Sequence, residues 1–240
     1  MSLGNALGHL TILPFPYKKQ VPLLRSIHYF PLVGMGMGSF AVLFFLGIQH
    51  VFPNALSCFL TLAVLEVLTG GVQLRGIVEM IQGRRTYPGH GFDPGFKLDL
   101  RGFGIVGMML FFKTTALILL PREWQTHAVF LLPILDHCAQ TLSFVLSPSC
   151  VPDTHVNDKL IARRRVRASF ICVILLMLLF LFPWRVAIPA LALFAVIVLL
   201  GLRRCNALFN GLTLQTVSLL SELSETGVLI LLAVAAKVWS

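Results

Sequence analysis

The chain has 240 residues, of which 57% are hydrophobic and 12% are charged, with a formal net charge of +9. An ordinary soluble domain carries about twice that share of charge, and the mean hydropathy of +0.86 points the same way. A cytosolic globular protein and a disordered chain are excluded, and solid apolar blocks rather than alternation argue against an outer-membrane barrel.

A bilayer core takes about 20 apolar residues as helix. The apolar blocks run over 32–51, 55–70, 103–120, 127–147, 168–182, 186–202 and 213–236. They predict an all-α polytopic bundle of about seven transmembrane helices, or six if one of the short blocks is re-entrant, in one integral-membrane domain spanning 1–240. The second block is short, and its helix is expected to run on into the polar stretch that follows. Pro183 should break the fifth block from the sixth, with Trp184 suited to the interface. Residues 1–16 show no signal peptide and are expected to lie on the membrane surface. The five cysteines have no paired spacing, so neither a zinc site nor a disulfide framework is indicated.

Orientation follows from Lys and Arg. With the N-terminus inside, the inner segments hold fifteen of the 19 basic residues, among them Lys18, Lys19, Arg75, Arg84, Arg85, Lys97, Arg101, Arg203 and Arg204. The outer segments hold Arg122, Arg185 and Lys237. The basic excess is therefore topology, facing anionic headgroups, and no nucleic-acid motif accompanies it. The two long inner loops, 71–102 and 148–167, place chemistry at the inner face. The run Arg163-Arg164-Arg165-Val166-Arg167 is foremost a positive stop before the fifth block, with phosphate binding as the sharper alternative.

Several constellations stand out. In Thr69 to Gly83, Arg75, Glu79 and Gln82 fall at i, i+4 and i+7 on one helix face. Glu66 lies further up, in an apolar block, where a carboxylate is costly unless paired or functional. A solvated helix end and a plain Arg75–Glu79 ion pair are the bland alternative. Asp99-Leu100-Arg101-Gly102-Phe103-Gly104 opens the third block, where Asp99 suits a helix cap. Glu222 and Glu225 lie together at i, i+3 on the last block, preceded by Thr213, Gln215, Thr216 and Ser218. A cation, a proton or neighbouring basic residues would satisfy them. Asp136-His137 sits mid-block with Gln140 nearby, and Lys113 is the expected partner of Asp136. Gly34-Met35-Gly36-Met37-Gly38 reads as a packing face.

At these residues the chain resembles the cobalamin-5'-phosphate synthase (adenosylcobinamide-GDP ribazoletransferase) family. Arg25 to Gly34 resembles the family's basic segment leading into F-P-L-V-G. Thr69 to Gly83 is similar to T-G-G-x-H-x-D-G-x-x-D-x-x-D-G. Asp99-x-Arg101 followed by Phe103-Gly104 resembles D-S-R-x-G-x-F-G, two residues shorter. Gly211-x-Thr213 through Glu222 and Glu225 is similar to G-G-x-T-G-D…E…E. The departures are Gln73 at the histidine, and Arg75, Glu79, Gln82 and Gln215 at aspartates.

The resemblance implies a multi-pass enzyme of the bacterial inner membrane. It would join adenosylcobinamide-GDP to α-ribazole or its 5'-phosphate and release GMP in late cobalamin assembly. It implies Mg²⁺, which carboxylates would hold while it neutralises phosphoryl charge. Here the metal set would be Glu79, Glu222 and Glu225, weakened by Arg75, Gln82 and Gln215. Catalytic roles would fall to Glu79, Asp99 and Arg101, and phosphate binding to Arg75, Gly70, Gly71 and Thr213. Expected partners are the bilayer and the corrinoid nucleotide and ribazole substrates, with room for a homo-oligomer or a complex with other cobalamin-assembly proteins. The alternatives are a catalytically degenerate member acting as membrane scaffold or phosphorylated-ligand binder, and a transporter built on Asp136, His137, Lys113 and the glutamate pair. No clear inverted repeat of broken spans supports the last.

Overall fold

A computed structural model describes residues 3–13, 26–83, 98–147, 158–209 and 212–239, apart from the side chains of 158–165, 209 and 239. Arg25, the loop stretches 84–97 and 148–157, the side chains of Arg163, Arg164 and Arg165, and Asn210-Gly211 lie outside the described residues. So do the basic residues Lys18, Lys19, Arg84, Arg85 and Lys97.

The described residues form helices and turns with no strand. The helices are α1 (Leu3–Leu10), α2 (Phe30–Ile48), α3 (Asn54–Leu68), α4 (Val72–Ile81), α5 (Leu100–Ile118), α6 (Arg122–Leu146), α7 (Asp158–Leu176), α8 (Trp184–Phe209) and α9 (Leu214–Trp239). In lipid every backbone polar group must be satisfied within its segment, which makes helix the only open choice for these apolar runs. Pro53 and Pro121 are N-cap residues of α3 and α6, and Pro31 lies in the first turn of α2, whereas Pro133 and Pro189 lie inside α6 and α8. Pro183 ends the preceding segment as expected, and its carbonyl accepts from the Val186 and Ala187 amides as α8 begins.

All seven apolar blocks are helical, but they are not seven equal spans. Five described helices are long and apolar enough to cross a membrane, and α3 with α4 passes that test only as a pair bent by 80°. The apolar part of the fifth block, Val166–Leu181, is a shorter helix, its last turns tightening to a 3-10 helix at Met177–Leu181. The second helix does run on, as its sequence suggests, but around a sharp elbow.

The core is built on α6 and α9. α6 is buried nearly all round, from Ala128 to Phe144, and packs on α2, α7 and α9, while α9 also packs on α4, α5 and α8. The glycine face of α2 makes the α2–α6 contact. A Cβ at Gly34 would stand 2.6 Å from the Pro133 carbonyl oxygen, one at Gly38 would meet the Phe130 carbonyl, and Gly36 faces open space. Small residues let the two backbones approach, the usual device where lipid offers no hydrophobic drive between helices. Large apolar side chains such as Leu43, Phe103, Phe111, Val173 and Leu199 point outward, as a lipid-facing surface requires. α1 does not simply lie apart on a surface: Ala6 is fully buried in the bundle's core, and the Ile12 amide donates to the Leu68 carbonyl at 2.9 Å.

Candidate functional site at the α4–α9 corner

The elbow that places α4 is made by Thr69-Gly70-Gly71. Gly70 and Gly71 have φ of 66° and 61°, a region that side chains with a Cβ rarely adopt. The Gly71 amide donates to the Glu66 carbonyl at 2.7 Å and the Gly70 amide to Val67 at 2.9 Å. This pair of bonds is a Schellman closure of α3. The Thr69 hydroxyl also returns to the Glu66 carbonyl. Gly70 and Gly71 read from sequence as a phosphate cradle, but their amides point back into α3, and their role here is to turn the chain.

Beyond the elbow, α4 lies across α9. Gly76 faces Ser218 so closely that a Cβ would collide with its side chain. Above this contact Glu79 is fully buried. Arg75 Nε donates to Glu79 Oε1 at 2.8 Å, and Gln215 Nε2 donates to Glu79 Oε2 at 2.9 Å. Both carboxylate oxygens thus receive N–H donors, one from the same helix and one from α9. The Arg75 side chain keeps 27% of its surface exposed.

α9 starts immediately below. Thr213 is its N-cap: the Thr216 amide donates to Thr213 Oγ1 at 3.2 Å, and the Thr213 amide donates to Thr216 Oγ1 at 2.9 Å. This reciprocal pair is a capping box built from two threonines. The hydroxyl assigned from sequence to phosphate binding therefore closes a helix. Asp99 likewise caps α5, accepting from the Gly102 amide at 2.8 Å. That bond, then one from the Gln82 side chain and the charge of Arg101, hold its carboxyl below the usual 3.8 despite the opposing effect of desolvation. Gln82 thus binds the start of α5 rather than completing a triad with 75 and 79. Arg101 is exposed.

A second acidic cluster lies deeper. Lys113 of α5 is buried, with Nζ 2.7 Å from Glu222 Oε1, 3.0 Å from Glu225 Oε1 and 3.7 Å from Glu66 Oε1. The sequence paired Lys113 with Asp136; the structure corrects this. Asp136 accepts instead from the side chains of Gln73 and Gln140, with His137 Nδ1 3.0 Å away. Glu66, Thr69, Gln73, Asp136, His137 and Glu225 line a cavity of about 20 Å³, room for a single water. The Gln73–Asp136 contact is the feature that sequence reasoning missed. Its one signal was the carboxamide of Gln73 between Val72 and Leu74, a group that needs a partner if buried.

The described residues do not suit a magnesium ion. Mg²⁺ requires oxygen ligands in near-octahedral array. Glu79 has both oxygens taken by N–H donors, and the ammonium of Lys113 sits on Glu222 and Glu225. Among the described residues no group of three or more His, Cys, Asp or Glu could hold a metal ion. Glu79 of α4 does pack on the face of α9 that carries Glu222, since it touches Gln215, seven residues before Glu222. That step is about 10 Å of helix, so Glu79, Glu222 and Glu225 form two clusters, not one.

The pattern of the cobalamin-5-phosphate synthase family matches residues 2–86. The chain is 28% identical over 237 residues to the adenosylcobinamide-GDP ribazoletransferase of Desulfitobacterium hafniense, covering 93% of this chain and 92% of that one. The protein of the same name from Desulforamulus reducens is 23% identical over 247 residues, 99% of this chain and 98% of its own. A third, from Syntrophobacter fumaroxidans, is 28% identical over 60% of this chain and 62% of its own. No solved structure matches the chain.

Proposed function

From its similarity to the cobalamin-5-phosphate synthase family, we propose that this chain acts as an adenosylcobinamide-GDP ribazoletransferase in a bacterial inner membrane, N-terminus inside. The carrying observation is the near end-to-end similarity to a ribazoletransferase, 93% of this chain against 92% of the relative. In the reaction a ribazole hydroxyl attacks the phosphorus next to cobinamide, the bond to the bridging oxygen breaks, GMP leaves and the hydroxyl proton passes to solvent. The bond making is simple; the protein's task is to align two substrates and offset phosphoryl charge.

The α4–α9 corner supports a specific division of labour. Arg75 meets the diphosphate, its guanidinium suited to bidentate contact with phosphoryl oxygens. Glu79 is a positioning residue that, with Gln215, fixes Arg75 at the corner. Arg101, exposed beside the cap made by Asp99, supplies a second positive charge at the same rim. Gly70, Gly71 and Thr213 shape the corner through the elbow and the start of α9.

The test uses vesicles holding the purified protein, supplied with adenosylcobinamide-GDP and either α-ribazole or its 5'-phosphate. GMP release above empty vesicles is expected, and its rate with each acceptor identifies the preferred one. No release with either acceptor rejects the reading. A second reading, a member that binds the nucleotide without turnover, is favoured by one observation: protein cations already stand on both acidic clusters. Saturable retention of adenosylcobinamide-GDP with no GMP formed would select it.

A further inference from the structure

We propose that the positive charge at the α4–α9 corner is built into the chain: Arg75 is the resident counter-ion of Glu79, and the corner takes a phosphate-bearing ligand without a divalent cation. The inference deepens the transferase reading and rests on it for the ligand, while its first test reads metal alone.

A fully buried carboxylate needs a proton, a metal or a protein cation. At Glu79 the third solution is in place, because Arg75 precedes it by one helical turn and reaches Oε1 at 2.8 Å. The other oxygen is taken by Gln215. Of the two ends of a carboxamide, only the NH₂ can donate to a carboxylate, so Gln215 turns its nitrogen, not its oxygen, toward the site. A divalent ion would have to displace both donors and then stand beside a guanidinium. The two substitutions work together. Arginine at 75 supplies charge that an acidic residue there would require, and glutamine at 215 supplies a donor where an acidic residue would add a third negative charge. Lys113 repeats the arrangement at Glu222 and Glu225, so the acid pair on α9 does not offer itself as a substitute cation site.

Manganese is the probe, read by its paramagnetic signal on the full-length protein in detergent micelles. Wild type is expected to bind no stoichiometric Mn²⁺. The double variant Arg75→Asp with Gln215→Asp, which leaves three carboxylates around one point, is expected to gain one Mn²⁺. One tightly held Mn²⁺ in wild type overturns the proposal, and this needs no variant to fold. A folded double variant, checked by its melting transition, that gains no Mn²⁺ also overturns it. The second readout is retention of GDP by wild type. Equal retention in EDTA and in Mg²⁺ supports the proposal, and a loss of about tenfold in EDTA, 1.4 kcal/mol, overturns it. If GDP is retained in neither buffer, the transferase reading fails, while the manganese result still decides the corner's charge.

Discussion

Lys113 carries more than its share of the structure. One ammonium stands against Glu66, Glu222 and Glu225, and removing one partner of a buried charge group leaves the rest uncompensated. Lys113→Met is expected to cost about 3–5 kcal/mol, read as a lower melting temperature in detergent. Lys113→Met combined with Glu222→Gln should recover part of the loss, since one uncompensated charge is gone. Asp99 offers a pH signature instead. Its carboxyl titrates below the usual 3.8 in the folded chain. Its contribution is therefore fully present above that value and is lost as pH falls through the lowered one. A melting series from pH ~6 to ~3 should show the wild type losing stability at the acid end more steeply than Asp99→Asn, whose cap does not titrate. Parallel curves would contradict the capping role. Residue pairings were the least legible part of the sequence. Glu222 lies about 12 Å along α9 from its start and Asp136 about 15 Å from the C-terminal end of α6. Nothing in depth alone tells which of them Lys113 meets.

At the scale of elements, the glycines of α2 and the elbow between α3 and α4 make opposite lessons. Gly34 and Gly38 were readable as a packing face because the four-residue spacing puts them on one side of a helix. Backbone carbonyls of α6 stand against both, and Gly36 on the other side meets nothing. Gly34→Ala is therefore expected to destabilise by about 1–3 kcal/mol, and Gly36→Ala to leave the melting temperature unchanged. Equal effects would remove the α2–α6 contact from the account. The elbow was not readable. A glycine pair after an apolar run signals a turn or a cradle equally well, and the choice depends on where two amides point. Only the bonds from Gly70 and Gly71 to Val67 and Glu66 show a closed helix end. The elbow in turn decides the site, because it swings Glu79 into contact with Gln215, a residue 136 positions along the chain.

At the scale of the molecule, class and architecture were legible because lipid leaves a chain so few choices. Each apolar block became helix, and Pro53, Pro121 and Pro183 became boundaries. The number of full spans was less legible, since a bend of 80° changes no residue's hydropathy. The acidic signature was visible as residues but not as a site: sequence grouped Glu79 with Glu222 and Glu225, while the fold distributes them between Arg75 and Lys113. The central claim is that this corner serves ribazole transfer, with Glu79 holding Arg75 in place. GMP release by wild type and by Glu79→Gln, in equal amounts in matched vesicles, tests it most directly. Wild type is expected to release GMP and Glu79→Gln to do so about 100-fold more slowly, the scale of losing one preorganised charge contact. Equal rates in the two, or no release by wild type above empty vesicles, would contradict it.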